Sequence, residues 1–284
     1  MKDFDILVIG GGAAGIAAAA GAYEAGCRSI ALVDRKASLG GVLLQCFHRG
    51  FGQNQNGPEY TEKLLRDFPK TVKFYGSTTV LSVTNERIAH LSGGEIIQFR
   101  QLVLATGCRE IPVGALPIAG TRPRGIYTAG QMQELMNLYG YIPEGPAVIL
   151  GSGDLGLVMA NHLLLAGIPV TMVEKAAACG GMARNHRCLE HPLLRLICNA
   201  TVTEVQGEKQ LTGCILSTGE EIPCKTLLIA VGLIPDRELI LGLDAPDWLH
   251  SCGNCNRVHP MVEAVVKEGK MAGMTAWNEI RGNL

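Results

Sequence analysis

Ile6-Leu7-Val8-Ile9-Gly10-Gly11-Gly12-Ala13-Ala14-Gly15 is an apolar run that stops at a cluster of glycines. Ala147-Val148-Ile149-Leu150-Gly151-Ser152-Gly153-Asp154-Leu155-Gly156 repeats the pattern near the middle of the chain. Four apolar residues in a row read as a strand buried on both faces. In each copy the first glycine permits a sharp turn out of the strand. The second lets the backbone approach a diphosphate, and the third lets the next helix pack on the strand. The start of that helix offers free N–H groups and a positive dipole end. Each copy continues through Ala25-Gly26 or Ala166-Gly167 to a second strand, Ile30–Val33 or Val170–Val173, closed by Asp34 or Glu174. An acid about 20 residues after the glycines can accept from ribose hydroxyls. Even Gly40-Gly41 has its echo in Gly180-Gly181. One G-x-G-x-x-G arises easily by chance; two in matched settings imply a duplicated βαβ unit and two dinucleotide sites.

The rest of the chain extends the duplication. Leu102-Val103-Leu104-Ala105-Thr106-Gly107 and Leu227-Leu228-Ile229-Ala230-Val231-Gly232 both read as buried strands ending at glycine. Between the first unit and its closing strand, 45–58 reads as loop, 60–68 as a short helix, and 72–75, 78–83 and 96–99 as strands. Pro112, Pro117 and Pro123 mark a crossing, and a helix over 129–139 leads into the second unit. Strands recur at 200–204 and 214–216. After Pro235 about fifty residues remain, including an amphipathic helix near 261–277. That is too short for another domain, so the chain is expected to return and complete the first. The fold class is α/β: two Rossmann-like (βαβ) dinucleotide-binding domains, the second inserted into the first. The boundaries are 1–118 with 236–284, and 119–235.

Composition agrees. Hydrophobic residues are 47% and charged ones 18% of 284, enough for buried parallel sheets. The net charge of −1 gives no electrostatic footprint for nucleic acid or an acidic membrane. No run of about 18 apolar residues would span a bilayer. Asp3 and Asp5 lead straight into the first strand, which is not the pattern of a secretory signal, and ten cysteines then imply a reducing cytoplasm.

Further segments carry a family resemblance. They are Leu39-Gly40-Gly41, Gln45-Cys46 with Gly50-Phe51-Gly52, Gly107-Cys108-Arg109-Glu110, Tyr127-Thr128-Ala129-Gly130, Val231-Gly232-Leu233-Ile234-Pro235 and Cys252-Gly253-Asn254. With the two glycine motifs they resemble the FAD-dependent pyridine nucleotide–disulfide oxidoreductases in their two-domain, thioredoxin-reductase-like form. A closer likeness is to the NAD/FAD-dependent branch found beside anaerobic glycerol-3-phosphate dehydrogenase, with relatives in opine, proline and cyanide-forming dehydrogenase complexes. The resemblance implies FAD in 1–118 and 236–284 and NAD in 119–235. Gly10, Gly12, Ala13, Ala14 and Gly15 would meet the flavin diphosphate, Asp34 and Arg35 its adenosine, and Gly41, Ala105, Thr106 and Gly107 would flank it. Asn254, after Gly253, stands where the family usually has an Asp toward the ribityl chain or phosphate. Met261 and Val262, at a helix start, would face the flavin pyrimidine edge. Gly151, Gly153, Asp154, Gly156, Glu174 and Gly232 would form the NAD site, the acid favouring NADH over NADPH. An ordinary glycine turn at the first site, and at the second a domain kept only for folding or one that binds an adenine nucleotide without redox use, stay open from the residues themselves.

The cysteines do not fall where disulfide reductases of this family carry a dithiol. Cys46 is alone after Gly40-Gly41, and no cysteine lies between Cys108 and Cys179. Disulfide reduction is therefore not the expected activity. Cys46 and His48 are the candidate catalytic pair, as a charge-transfer thiolate or an acid/base, against a loop thiol and a surface histidine. Cys252 and Cys255 form a CxxC that reads as two buried thiols or a minor redox pair. His186, Cys188 and His191 have no fourth partner for a structural zinc, so no metal site is expected.

The resemblance implies an enzyme with FAD and NAD as cofactors, moving a hydride between NAD(H) and flavin. Electrons would go to or from a substrate, a partner dehydrogenase or an iron–sulfur subunit. A homodimer is compatible with the sequence. The alternative is a flavin-binding electron-transfer or non-catalytic subunit of a dehydrogenase complex. The stretch from Pro235 to Cys252 is shorter than in the family, which would leave an edge for a partner.

Overall fold

The computed structural model of the chain describes residues 1–244 and 246–282. Its elements begin with β1 (Lys2–Ile9), α1 (Ala13–Glu24), β2 (Ile30–Val33), α2 (Gly57–Arg66), β3 (Lys73–Tyr75), β4 (Val80–Val83), β5 (Ile88–Leu91) and β6 (Ile96–Leu104). They continue with β7 (Cys108–Glu110), β8 (Ala119–Gly120), β9 (Ile126–Thr128), α3 (Ala129–Tyr139), β10 (Ala147–Leu150), α4 (Asp154–Leu165), β11 (Val170–Val173) and β12 (Leu194–Ile197). The last are β13 (Val202–Gln206), β14 (Gly213–Leu216), β15 (Glu221–Pro223), β16 (Thr226–Ile229), β17 (Leu233–Pro235), β18 (Leu249–Ser251) and α5 (Val262–Gly282).

The chain divides into two units, Met1–Arg109 with Ile234–Leu284, and Glu110–Leu233. The expected crossing after residue 118 thus comes nine residues too late, and the return after 235 two too late. The physical reason is apolar. Val113, Leu116 and Ile118 pack into the same core as Val148, Leu150 and Leu227, so the segment belongs to the second unit.

In the first unit the strand order is β3-β2-β1-β6-β5-β4, with β18 also on β6. The neighbours β1, β2, β3, β6 and β18 run parallel. Alternation along β1 feeds both faces of the sheet. Ile6 and Val8 join the core beneath α1 and α5, and Leu7 and Ile9 join the opposite core with Phe99 and Trp248. The expected strands 96–99 and 102–107 are one strand, β6, which changes partners along its length. Residues 96–98 pair antiparallel with β5, and Leu102–Leu104 pair parallel with β18. β5 was not anticipated, because its exposed His90 interrupts an apolar reading. The returning chain supplies α5, which crosses α1 closely. A Cβ on Gly269 would lie 2.2 Å from the Ala14 carbonyl oxygen, and one on Gly273 1.9 Å from that of Ala18.

The second unit repeats the plan with the parallel order β12-β11-β10-β16-β9. Val148 and Leu150 face one core, Ala147 and Ile149 the other. A four-stranded sheet, β15-β14-β13-β8, accompanies it. Helix α3 starts at Thr128, whose hydroxyl caps the Gln131 N–H, and stops at Gly140 in a left-handed conformation.

Candidate functional site

The glycine turns have the same geometry in both units. Gly10 (φ +106°) and Gly151 (φ +103°) make the turn out of the strand. A Cβ on Gly15 would sit 1.8 Å from the Gly10 carbonyl oxygen, and on Gly156 2.3 Å from that of Gly151. These outer glycines are required by the protein's own backbone. The central ones, Gly12 and Gly153, are different: a Cβ there would meet nothing within 4 Å. Each is also the N-cap of its helix, α1 or α4, with no capping side chain. Open space therefore lies against an uncapped helix start in both units, which is the cradle a diphosphate fits.

The acids close these turns. Asp34 accepts from the Gly11 N–H (2.5 Å) and the Lys36 N–H (2.7 Å). Glu174 accepts from the Ser152 N–H (2.9 Å), the Ser152 hydroxyl (2.5 Å) and the Ala176 N–H (2.8 Å). Burial raises the Glu174 carboxyl, but these donors outweigh it and hold the group below its ordinary value, so it is charged. Each carboxylate keeps spare lone pairs for a ribose.

In the first unit the predicted residues meet at one end of the sheet. A Cβ on Gly10 would lie 2.3 Å from the Ala105 carbonyl oxygen, and one on Gly41 3.0 Å from Gly12 Cα. Gly253 (φ +66°) presses on α1, its Cβ direction ending 2.7 Å from Ala14 Cβ. Thr106 donates its hydroxyl to the Asp236 carbonyl at 2.6 Å. Beside Asp34 lies a cavity of about 420 Å³ lined by Gly10, Asp34, Arg35 and Thr106, with Thr78, Thr79, Val80, Leu81, Asp236, Glu238 and Leu239. It fits the adenosine end of a dinucleotide at the carboxyl ends of parallel strands. The residues from Thr78 to Leu81 and from Asp236 to Leu239 were not anticipated; they come from a hairpin and a turn with no motif of their own.

Asn254 is held from two sides: its Oδ1 accepts the His259 N–H at 3.0 Å, and its Nδ2 faces Cys108 Sγ at 3.6 Å. Glu268, also not anticipated, accepts from the Gly253 N–H (3.0 Å), Asn256 Nδ2 (2.6 Å) and His259 Nε2 (2.5 Å). α5 begins at Val262, which packs with Ala13, Leu43 and Tyr60, and Met261 lies just before it, half-buried. Glu263 in its first turn accepts the Gly52 N–H at 2.9 Å.

In the second unit Asp154, at the first position of α4, accepts from the Met182 N–H (2.7 Å) and Asn185 Nδ2 (2.6 Å). Ser152 Oγ also accepts the Gly180 N–H at 2.8 Å. The Gly180–Asn185 segment is thus strapped to the glycine turn by side chains that the first motif, with Gly11 and Ala13, lacks. Gly232 (φ +143°) ends the segment after β16, as Gly107 (φ +81°) ends the one after β6.

Of the candidate catalytic pair, the thiol and the imidazole have different surroundings. Cys46 is buried, donates to the Val42 carbonyl at 3.2 Å, and is pushed up to about 12 by burial. It is a neutral thiol near neutral pH, and the expected thiolate is not supported. His48 is half-buried, with its ring 5.1 Å from Phe51. Burial likewise raises Cys252 and Cys255. Cys255 donates to the Leu104 and Cys252 carbonyls, and both residues are buried free thiols. His186 bonds the Gly180 carbonyl, and Cys188 is buried toward Leu157. Among the described residues no group of three or more His, Cys, Asp or Glu is arranged to hold a metal ion.

A glycine turn built twice on parallel sheets, each closed by an acid, defines a protein of the two-Rossmann-unit oxidoreductase class. Residues 4–247 match the family described as "Pyridine nucleotide-disulphide oxidoreductase". The chain belongs to that family, whose members are FAD-dependent NAD(P)H oxidoreductases. It is similar to an opine oxidase subunit of Agrobacterium tumefaciens (strain Ach5), 31% identical over 62% of this chain and 38% of the relative. It is also similar to the corresponding opine oxidase subunit of Rhizobium meliloti, 28% identical over 83% of this chain and 51% of the relative. The chain spans about half the length of these curated relatives, or less. The fold is shared with the thioredoxin reductase of T. acidophilum, at a TM-score of 0.80 and 21% identity, covering 99% of this chain and 100% of that one. No helix among the described residues is long and apolar enough to cross a membrane.

Proposed function

We propose that this chain is an FAD-dependent oxidoreductase that moves a hydride between NAD(H) and flavin. FAD would be held by Met1–Arg109 with Ile234–Leu284, and the nicotinamide dinucleotide by Glu110–Leu233. The observation that carries this is the doubled turn with an open central glycine, Gly12 and Gly153, against an uncapped helix start. Bound there, FAD supplies the two-electron chemistry and the nicotinamide the hydride. The chain's own work is to hold and orient. Gly10, Gly12, Ala13, Ala14 and Gly15 offer backbone to the flavin diphosphate, while Asp34 takes the ribose and Arg35 borders the adenosine cavity. Gly41, Ala105, Thr106, Gly107, Gly253 and Asn254 flank the rest, with Met261 and Val262 near the ring end. Gly151, Gly153, Asp154, Gly156 and Gly232 frame the second dinucleotide. Glu174, charged and already positioned, disfavours a 2′-phosphate and selects NADH.

The onward acceptor is read as a partner dehydrogenase or iron–sulfur subunit, in the manner of the branch beside glycerol-3-phosphate dehydrogenase. Two observations support it: the absence of a dithiol at the family's usual places and the likeness to proteins described as oxidase subunits. Ten free thiols favour the cytoplasm as the place of work. The test is an anaerobic NADH titration followed by flavin absorbance. Bleaching at stoichiometric NADH supports the proposal. A bound flavin that ignores NADH overturns it, in favour of a flavin-carrying subunit served by another chain.

A further inference from the structure

We infer that Glu268 is a positioning residue for the flavin site, holding the turn that presents Asn254. The inference rests on the flavin reading above. Glu268 lies on α5, next to Gly269, where α5 crosses closely over Ala14 of α1. Its carboxylate gathers three donors from a single short turn: the Gly253 N–H at 3.0 Å, Asn256 Nδ2 at 2.6 Å and His259 Nε2 at 2.5 Å. Both ends of the turn are therefore tied to one side chain. A carboxylate can only accept, so His259 carries its proton on Nε2. Burial raises the Glu268 carboxyl, but Asn256, His259 and the Gly253 N–H outweigh it and keep the group charged.

The tie reaches Asn254 through the backbone. His259, fixed by Glu268 through its ring, donates its own N–H to Asn254 Oδ1 at 3.0 Å. That contact orients the amide with its oxygen toward His259 and its nitrogen toward Cys108 Sγ, 3.6 Å away. An amide nitrogen has two hydrogens, and one remains for a ligand. Gly253, tied by its N–H, takes φ +66° and rests against Ala14 at the start of α1. The Asn254 donor and the α1 helix start are thus registered to each other by Glu268. Family members with an acid at the Asn254 position would present a charge there; here the site presents a neutral donor whose direction depends on this network. A glutamine at 268 would turn an N–H toward the Gly253 N–H, Asn256 or His259, and at least one of the three ties would break.

The experiment titrates FAD into the flavin-depleted 284-residue chain and reads affinity by flavin fluorescence, with the melting temperature of the depleted protein alongside. Wild type, Glu268→Gln, Asn254→Ala and the double variant form a cycle. Glu268→Gln is expected to weaken FAD about tenfold, and to have less than about a twofold effect once Asn254 is alanine. Equal effects in both backgrounds would make Glu268 a general structural tie and overturn the inference, as would an unchanged affinity in Glu268→Gln. If Glu268→Gln does not fold, Glu268→Asp replaces it, retaining the charge but withdrawing it by one methylene; the same dependence on Asn254 is expected. A wild-type chain that does not bind FAD would overturn the flavin reading and this inference with it. Binding by wild type with additive variants overturns the inference alone.

Discussion

At the scale of the residue, the three glycines of each motif do separate jobs, and substitution should separate them. Gly12→Ala adds a methyl to open space, so the protein should melt as before while FAD affinity falls on the order of tenfold, worth about 1.4 kcal/mol. Gly15→Ala drives a methyl into the Gly10 carbonyl and should lower the unfolding free energy by about 1–3 kcal/mol in a denaturant titration. Equal melting of the two variants would refute this division of labour. Cys46 makes the second prediction. Its thiol ordinarily titrates at 9.0 and is pushed up to about 12 in the fold, so its stabilising contribution is complete below pH 9 and fades as pH rises toward 12. Cys46→Ser should retain NADH-driven flavin bleaching, and iodoacetamide should label Cys46 negligibly at pH 7; rapid labelling there would contradict the buried thiol. The glycines and both acids were legible because backbone geometry and ribose recognition restrict residue type at fixed spacing. Glu268 and the Thr78–Leu81 wall of the cavity were not, because their roles come from long-range packing that leaves no local pattern.

Elements show the same contrast. β1, α1 and β2 and their counterparts β10, α4 and β11 were readable because a doubly buried strand is apolar throughout and a Gly-rich turn announces its end. β6 reads as two strands in the sequence because Arg100 and Gln101 interrupt its apolar run. Yet Gln101 is buried, its Oε1 2.9 Å from His250 Nε2 on β18, a partner that sequence proximity could not suggest. The crossing of α5 with α1 rests on glycine. Gly273→Ala would place a methyl 1.9 Å from the Ala18 carbonyl oxygen and should cost about 1–3 kcal/mol, read as an earlier urea midpoint at unchanged slope. In the second unit the loop after β11 hangs on Ser152, Asp154 and Glu174. The Glu174 carboxyl ordinarily titrates at 4.5 and is lowered in the fold. Its stabilisation is therefore present above pH 4.5 and lost as pH falls through the lower folded value. Glu174→Gln should be less stable than wild type at pH 7, with the difference closing in acid, and, on the proposed NADH reading, should discriminate less against NADPH. A stability difference that does not shrink as pH falls below 4.5 would show that the carboxylate is not the source.

At the scale of the whole molecule the two units differ in how the chain supplies them. Glu110–Leu233 is one continuous segment with both of its cores internal, one around Val148, Leu150 and Leu227 and one around Ile149, Met159 and Leu228. The first unit is assembled from two segments separated by the whole of the second. Its core beneath α1 needs Cys252, Ala276 and Ile280 from the returning chain, and its opposite core needs Trp248 and Cys255. Without them α1 exposes a face of small residues, Ala14, Ala18 and Gly21, that is too flat to pack without the glycine face of α5. A fragment of residues 110–233 should therefore fold alone, melt cooperatively by circular dichroism and bind NAD or ADP-ribose. Residues 1–109 should not, although they contain every glycine of the first motif. Adding residues 234–284 in trans should restore a cooperative transition if the returning chain is the missing half of that core. A cooperative melt from 1–109 alone would refute the argument. It would mean that β1, α1, β2, β3 and β6 close a core without α5, and that the returning segment decorates the first unit rather than completing it.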